Sequence, residues 1–313
     1  MADDVVLQTF NLSKQFKTRS AVKDVNLRVN RGDVFGFLGP NGAGKSTTIR
    51  MLLTLISPSS GHIELFGERL HRSRRAVLAK VGGLVERPDF YLYLTARRNL
   101  EIVAALKGGI PSSAIPEVLE IVGLDARADD KVKTYSHGMK QRLGIAQAIL
   151  GSPEFIVLDE PTSGLDPQGI KEVRELIVRL SSERGITIFL SSHLLNEIEQ
   201  TATNMAIINS GELVVQGKVR ELLDSGDNVV RVDARPIERA MQIIEQQEYV
   251  AGISRDNDSL IIKMPRDRIH ALNSLLVQAG IQVDALIPKR SLEEYFLQIT
   301  EGASDGNAPK RKR

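Results

Sequence analysis

The chain has 313 residues, of which 42% are hydrophobic, and its 41 basic and 39 acidic residues give a net charge of +2. This composition is that of an ordinary globular protein of one large or two medium domains, and the near balance of charge argues against bulk attraction to nucleic acid. The chain has no cysteine, which excludes disulfides, thiolate metal sites and cysteine nucleophiles. The start of the chain is acidic, and no apolar run reaches the ~20 residues needed to span a bilayer. We therefore expect neither a secretory signal nor a membrane-spanning helix.

The amino-terminal part alternates short apolar runs with an amphipathic stretch. The runs Val5–Phe10, Val25–Val29 and Val34–Leu38 predict strands, and Ser46–Leu55 predicts a helix. Buried strands joined by helices are typical of an α/β fold with a mainly parallel sheet.

A glycine-rich turn follows the strand Val34–Leu38. It reads Gly39-Pro40-Asn41-Gly42-Ala43-Gly44-Lys45-Ser46-Thr47 and fits the P-loop pattern G-x-x-x-x-G-K-[ST] between a strand and a helix. Glycines let successive backbone N–H groups point at phosphate oxygens, and the helix start adds the positive end of its dipole. We expect Lys45 to reach the β- and γ-phosphates and Ser46 to ligate Mg²⁺. The alternative, a glycine-rich turn with no ligand, is disfavoured by this context.

The segment from about Pro88 to Leu150 has a different pattern, with helical periodicity and few strand signals. Its helices are predicted at Ala96–Leu106, Ser113–Val122 and Met139–Leu150. We interpret residues 88–150 as a helical subdomain inserted into the α/β core.

Two carboxylates follow the apolar run Phe155–Leu158, which predicts a buried strand. In a P-loop protein we expect this strand to lie beside the P-loop strand, so that Asp159 holds Mg²⁺. Glu160 then lies near the γ-phosphate, where it can polarise the attacking water as a general base. The alternative is a strand that ends in an acidic turn, which becomes improbable beside a P-loop.

A single histidine follows the next predicted strand. The helix Glu172–Leu180 leads into the run Thr187–Leu190, and His193 comes after Ser191-Ser192. Ligands bind at the carboxyl ends of strands in open α/β sheets, so His193 is predicted to contact the γ-phosphate and orient the water of Glu160. A lone histidine is otherwise more often structural.

The last third of the chain predicts a second, smaller α+β domain. The order strand, helix, two strands, helix, strand is that of a ferredoxin-like domain. These elements are Asn228–Val232, Ile237–Gln246, Val250–Ser254, Leu260–Ile262, Asp267–Gln278 and Ile281–Ile287, with a closing helix at Leu292–Ile299. The predicted domains are residues 1–220 and 221–300, followed by a disordered basic tail at 301–313.

Taken together, these motifs resemble the ABC (ATP-binding cassette) ATPase family over about Val5–Gly217, which implies a P-loop NTPase core. The run Lys133–Arg142 looks like the family's signature, and Ser163–Asp166 looks like its D-loop. The resemblance implies ATP and Mg²⁺ as cofactors, Phe16 stacked on adenine, and His193 as the switch histidine.

The same resemblance implies that one chain is an incomplete enzyme. Ser136 and Gly138 precede a predicted helix, and a hydroxyl, a glycine N–H and a helix N-terminus form an anion site. In the family this site faces the γ-phosphate on the opposite subunit, and Asp166 of the D-loop is a further candidate nucleotide-binding residue. A second ATPase subunit, identical or paralogous, is therefore implied in a head-to-tail dimer around two ATP molecules.

Two departures from the family's pattern stand out. The signature has His137 in place of the first glycine of its common form and Met139 in place of the glutamine. At Glu86 the family usually has a glutamine that contacts Mg²⁺ or water. A carboxylate can still ligate Mg²⁺, so Glu86 is a further candidate metal ligand that alters Mg²⁺ affinity or coupling.

Within the family, a single cassette with no zinc-binding cysteines or long coiled coil is similar to a transporter subunit. The segment Arg87–Leu106, with its aromatic run Phe90–Leu94, lies where the family contacts a membrane-spanning permease. The carboxyl-terminal extension resembles that of bacterial exporter ATPases of the bacitracin, antibiotic and lantibiotic resistance type. This implies a peripheral protein at the cytoplasmic face of the inner membrane, and no nucleic acid partner is expected. The alternatives are an importer ATPase and a soluble ATPase that acts on nucleic acid.

Overall fold

The computed structural model describes residues 4–70, 74–86, 88–224 and 229–289. The chain divides into two compact units, Met1–Val219 and Arg220–Arg313, and each is described by itself. The predicted closing helix at Leu292–Ile299 and the predicted tail at 301–313 lie outside the described residues.

The first unit contains two sheets and the helices that pack on them. Its strands are β1 (Val5–Phe16), β2 (Arg19–Val25), β3 (Arg28–Asn30), β4 (Val34–Leu38), β5 (Ser60–Leu65), β6 (Glu68–Arg69), β7 (Val81–Leu84), β8 (Phe155–Leu158), β9 (Thr187–Ser192), β10 (Asn204–Asn209) and β11 (Glu212–Lys218). Its helices are α1 (Lys45–Leu52), α2 (Arg74–Ala79), α3 (Ala96–Lys107), α4 (Ala114–Ile121), α5 (His137–Ile149), α6 (Pro167–Arg184) and α7 (Leu195–Thr201), and α8 (Val219–Asp224) begins at its last residue.

The larger sheet carries the predicted nucleotide site. Its order is β11-β10-β4-β9-β8-β7, with β11 antiparallel to β10 and the other neighbours parallel. Every residue of β4, β8 and β9 is buried, and the rings of Phe35 and Phe189 stack with centroids 5.5 Å apart. Because these strands are parallel, their carboxyl ends meet at one edge of the sheet, which confirms the predicted α/β core.

One detail of this prediction is wrong. The carboxylate strand β8 is not beside the P-loop strand β4, because β9 lies between them and pairs with both. After β8 the chain crosses through α6 and returns as the central strand β9. The consequence is that Ser191 and His193, at the end of β9, lie between the P-loop and the carboxylates.

The smaller sheet is antiparallel and has the order β2-β1-β5-β6, with β3 also paired to β1. The predicted single strand Val25–Val29 is wrong, because the chain bends between β2 and β3. The hydroxyl of Thr9 donates to the carbonyl of Val25 (2.9 Å) and accepts from the amide of Leu27 (2.7 Å). This side chain satisfies the backbone groups at the bend, where a continuous ladder would otherwise be needed.

The predicted helical subdomain is present between β7 and β8. It consists of α3, α4 and α5, with 3₁₀ turns at Asp125–Arg127 and Val132–Thr134. Among the described residues, no helix combines the length and apolar character needed to cross a membrane.

The second unit is the predicted ferredoxin-like domain. Its elements are β12 (Val229–Arg235), α9 (Ile237–Glu245), β13 (Gly252–Asp256), β14 (Ser259–Lys263), α10 (Ile269–Gln278) and β15 (Gln282–Lys289). The sheet order is β13-β14-β12-β15, and all neighbours are antiparallel. Apolar residues of the strands, such as Val230, Val232 and Ile262, share one core with Ile244 of α9 and Leu272 of α10.

Candidate active site

The P-loop connects β4 to α1 through backbone that only glycine accommodates at two positions. Gly44 has φ 111°, and a Cβ there would lie 2.6 Å from the carbonyl oxygen of Ala21. A Cβ on Gly39 would lie 2.4 Å from the carbonyl oxygen of Ile208. The glycines of the motif therefore allow the loop to pass close to neighbouring backbone.

The side chain of Lys45, at the first position of α1, bends back over this loop. Its ammonium donates to the carbonyl oxygens of Gly39 (2.7 Å) and Pro40 (3.2 Å). Its side chain is only 5% exposed, and Nζ lies 3.2 Å from Oε1 of Glu160. The loop thus holds one buried positive charge at the start of a helix, which suits a phosphate.

The two carboxylates after β8 point to different partners. Asp159 is buried and its Oδ1 accepts a 2.6 Å hydrogen bond from the hydroxyl of Ser191. The same hydroxyl accepts from the backbone N–H of Glu160 (2.9 Å), which has the left-handed φ of 47°. Ser191 therefore fixes both acids, a role that the sequence analysis missed although Ser191 directly follows the buried run 187–190.

His193 lies next to Glu160. Its Nδ1 is 3.2 Å from Oε2 of Glu160, while Oε1 of the same carboxylate contacts Lys45. The structure thus brings together Lys45, Glu160 and His193 from the P-loop, the end of β8 and the end of β9.

A cavity of about 310 Å³ opens at this point. It is lined by Phe16, Arg19, Ala21, Asn41, Gly42, Gly44, Lys45, Ser46, Thr47 and Glu160. Phe16 is 46% exposed at the end of β1, as suits a ring that stacks on a base. The sequence analysis did not predict Arg19 as a lining residue. Arg19 begins β2, directly after the turn that follows Phe16. A larger hollow of about 620 Å³ around Met51 and Ile63 contains none of the motif residues, so size does not identify the site.

The candidate metal ligands of this chain fit Mg²⁺ only together with phosphate oxygens of a bound nucleotide. The described residues contain no cluster of three or more His, Cys, Asp or Glu that could hold a metal alone. Ser46 and Asp159 offer one hydroxyl and one carboxylate, and Mg²⁺ is commonly held by one or two carboxylates plus phosphate oxygens. Glu86, with φ 62°, instead forms an ion pair with Arg50 of α1 and is 62% exposed.

The signature and D-loop residues do not line this cavity. Ser136 is exposed and caps α5, where its Oγ accepts from the amide of Met139 (3.2 Å). Asp166 caps α6 by accepting from the amide of Gly169 (3.1 Å). Gly138 lies in the first turn of α5. Both helix starts therefore lie outside the chain's own P-loop cavity.

Comparison with known proteins supplies the family. A family model described as ABC transporter matches residues 22–163. The Bacitracin transport ATP-binding protein BcrA of Bacillus licheniformis is 43% identical over 303 residues, which cover 96% of this chain and 99% of the relative. The chain belongs to the ABC transporter family. The Lantibiotic transport ATP-binding protein SrtF of Streptococcus pyogenes is 42% identical over 67% of this chain and 90% of its own length.

Solved structures of ABC cassettes share the fold. An ATP-binding subunit of an ABC transporter is similar with a TM-score of 0.62 and 30% identity over 69% of this chain and 91% of its own. A dimeric ATP-binding cassette in a post-hydrolysis state, bound to ADP and Pi, has a TM-score of 0.61 and 26% identity over 68% of this chain and 99% of its own. The chain is thus an ATP-binding subunit of an ABC transporter, with the P-loop NTPase fold and ATPase activity.

Proposed function

We propose that two ATPase subunits pair head-to-tail, so that each ATP is held between the P-loop of one chain and the start of α5 of the other. The observation that carries this proposal is the separation of two anion-binding features within one chain. The P-loop, Lys45 and Glu160 line the cavity, whereas Ser136 and Gly138 at the α5 N-terminus do not. A helix N-terminus that lies outside the chain's own cavity is suited to bind a neighbour's nucleotide. The partner is identical or paralogous.

Hydrolysis in this site consists of attack by water on the γ-phosphorus of ATP, with release of ADP and phosphate. Glu160 orients the water and accepts its proton as the new P–O bond forms. The imidazole of His193, 3.2 Å from Oε2 of Glu160, holds that carboxylate in place and reaches toward the γ-phosphate. The ammonium of Lys45 balances the negative charge that the β- and γ-phosphate oxygens carry in the transition state.

We propose that Ser46 and Asp159 hold Mg²⁺ together with phosphate oxygens, with Glu86 as a further candidate. When bound, the ion neutralises charge on the β- and γ-phosphates. The hydrogen bond from Ser191 occupies Oδ1 of Asp159 and orients the carboxylate, which leaves Oδ2 for this role. Phe16 at the cavity wall stacks on the adenine.

We propose that the free energy of ATP hydrolysis powers a separate membrane-spanning permease. In this proposal the chain is peripheral, at the cytoplasmic face of the membrane. Between β7 and α3, Tyr91 and Tyr93 are 64% and 78% exposed, beside the half-exposed Leu92. Contiguous exposed apolar patches mark interaction surfaces, and these adjacent side chains fit such a surface. The transport names of BcrA and SrtF support a transporter subunit over an ATPase acting on nucleic acid; we propose an exporter, with an importer as the alternative.

Complementation between two inactive variants tests the head-to-tail pairing. Ser136→Arg disables the start of α5, and Lys45→Ala disables the P-loop; each variant alone is expected to hydrolyse no ATP. Mixed in equal amounts, they form pairs with one intact composite site, so ATPase activity returns. Activity that stays absent in the mixture, while both chains co-elute as a dimer with ATP, would contradict the proposed pairing.

A further inference from the structure

The first residue of α5 carries a side chain that the family's common signature lacks. His137 replaces a glycine there, and its Nε2 lies 3.4 Å from the carbonyl oxygen of Ser163. Because a carbonyl oxygen only accepts, this contact requires a proton on Nε2. A Cβ built on Gly164, which has φ 74°, would lie 3.7 Å from the same nitrogen. The imidazole therefore packs on the backbone of the turn at residues 163–164.

That turn is directly connected to the proposed general base. The amide of Ser163 donates to the carbonyl oxygen of Glu160 (3.1 Å). Glu160 occupies a left-handed backbone conformation, which is strained for a residue with a side chain and persists only where neighbours enforce it. A hydrogen-bonded path thus runs from His137 through Ser163 to Glu160 within one chain.

The starts of α5 and α6 are close neighbours on either side of this path. A Cβ on Gly138 would lie 3.8 Å from Cα of Gly169, in the first turn of α6. Ser136 caps one helix and Asp166 caps the other. The start of α5 therefore packs against the start of α6, which follows the turn from Glu160.

We infer that His137 is a positioning residue that ties the start of α5 to the Glu160 turn of the same chain. The inference rests on the proposed head-to-tail pairing. In that pairing Ser136 of one chain contacts the neighbour's ATP, whereas Glu160 acts on its own ATP. His137 of a chain therefore affects hydrolysis in the composite site that contains Glu160 of the same chain, through its contact with the turn at residues 163–164.

A series of uniform variants gives the first test. His137→Gly restores the family's common residue and removes the contact, while His137→Gln retains an N–H donor. We expect His137→Gly to lower kcat for ATP about three- to tenfold, which is the size of effect typical of residues that act on a site through their neighbours. KM for ATP should change little. His137→Gln should recover most of the lost kcat. Equal kcat in all three proteins would overturn the inference.

Mixed pairs separate positioning of Glu160 from support of Ser136. In the baseline pair the first chain carries Ser136→Arg and the second carries Lys45→Ala, so the single working site uses Glu160 of the first chain and Ser136 of the second. His137→Gly is then added to either chain. Positioning of Glu160 predicts that the loss of kcat appears when the substitution is in the first chain.

A loss confined to substitution in the second chain would show that His137 only supports Ser136, and it would overturn the inference. A baseline pair that is silent before any change at His137 would count against the head-to-tail pairing instead. The uniform series still decides the role of His137 in that case, because it needs no mixed pair.

Discussion

The carboxylate of Glu160 lies 3.2 Å from the ammonium of Lys45, across the mouth of the P-loop. Its second oxygen is 3.2 Å from Nδ1 of His193. A γ-phosphate competes with Glu160 for Lys45, since both are anions that the same buried ammonium can contact. ATP binding is therefore expected to move Oε1 of Glu160 off Lys45, while His193 keeps the carboxylate beside the phosphate.

Ser191→Ala should impair the site although Ser191 itself does not line the cavity. The substitution leaves buried Asp159 without its 2.6 Å donor and removes the acceptor for the Glu160 amide. We expect a loss of ~1–3 kcal/mol in unfolding free energy and a higher Mg²⁺ concentration for half-maximal turnover. The control is Ser192→Ala, whose hydroxyl contacts Glu197 and Leu194 instead. If both variants titrate with Mg²⁺ like the parent, Ser191 does not orient Asp159.

Phe16→Ala should weaken ATP binding through loss of stacking on adenine. A base stacked on an aromatic side chain is worth ~1–3 kcal/mol, so Kd for ATP should rise by a factor of about 5 to about 150. Phe16→Tyr keeps an aromatic face and serves as the control. Isothermal titration with ATP and with inorganic triphosphate separates base from phosphate contacts. A Kd for triphosphate that rises as much as that for ATP would argue against stacking.

Glu86→Gln tests whether Glu86 takes part in Mg²⁺ binding. In the structure its carboxylate pairs with Arg50 and is largely exposed. If Glu86 reaches the metal when ATP is bound, Glu86→Gln should raise the Mg²⁺ concentration needed for turnover, and Arg50→Gln should lower it by freeing the carboxylate. The Arg50→Gln shift should stay below about fivefold, because an exposed ion pair is worth ~0.2–1 kcal/mol. Unchanged titrations in both variants would remove Glu86 from the site.

Glu154 is expected to contribute stability that depends on pH. Hydrogen bonds from Arg31 and Lys80 hold the pKa of Glu154 below its ordinary value. A depressed folded-state pKa gives stability that is present above the unfolded-state pKa and lost as pH falls through the folded-state pKa. Glu154→Gln should therefore cost up to ~1 kcal/mol near neutral pH, and the difference should shrink on acidification.

Urea unfolding at about pH 7 and about pH 4 measures this difference. The control is Glu175→Gln, because Glu175 forms a 3.9 Å exposed pair with Lys171, and such a pair contributes little to the unfolding free energy. ATP turnover should be unchanged, since Glu154 immediately precedes β8 and the catalytic groups follow it. If the difference in unfolding free energy between the parent and Glu154→Gln is the same at both pH values, Glu154 does not contribute pH-dependent stability.

The residues that a local motif specifies were predictable, and those that depend on strand order were not. The P-loop, Asp159, Glu160 and His193 follow buried runs, so their meeting at one sheet edge could be inferred. The position of β9 between β4 and β8 is set by a long crossover, which leaves no local pattern. Ser191 could have been found only by knowing that β9 is central.

The bend at Asn26–Leu27 and the pairing of Glu86 show the same limit. Apolar residues on both sides of the bend look like one strand, and the bend is held in part by the distant hydroxyl of Thr9. The partner of Glu86 is Arg50, 36 residues away on α1. The ferredoxin-like order was predictable in the second unit because its apolar runs alternate with short amphipathic helices.

The most direct test of Glu160 as general base is single-site replacement with its amide. Glu160→Gln keeps the shape and the hydrogen-bonding reach to His193 but removes the proton acceptor. We expect ATP binding to persist, kcat to fall at least ~100-fold, and light scattering to show a stable dimer only when ATP is present. Turnover close to that of the parent protein would contradict the assignment of Glu160 and the mechanism built on it.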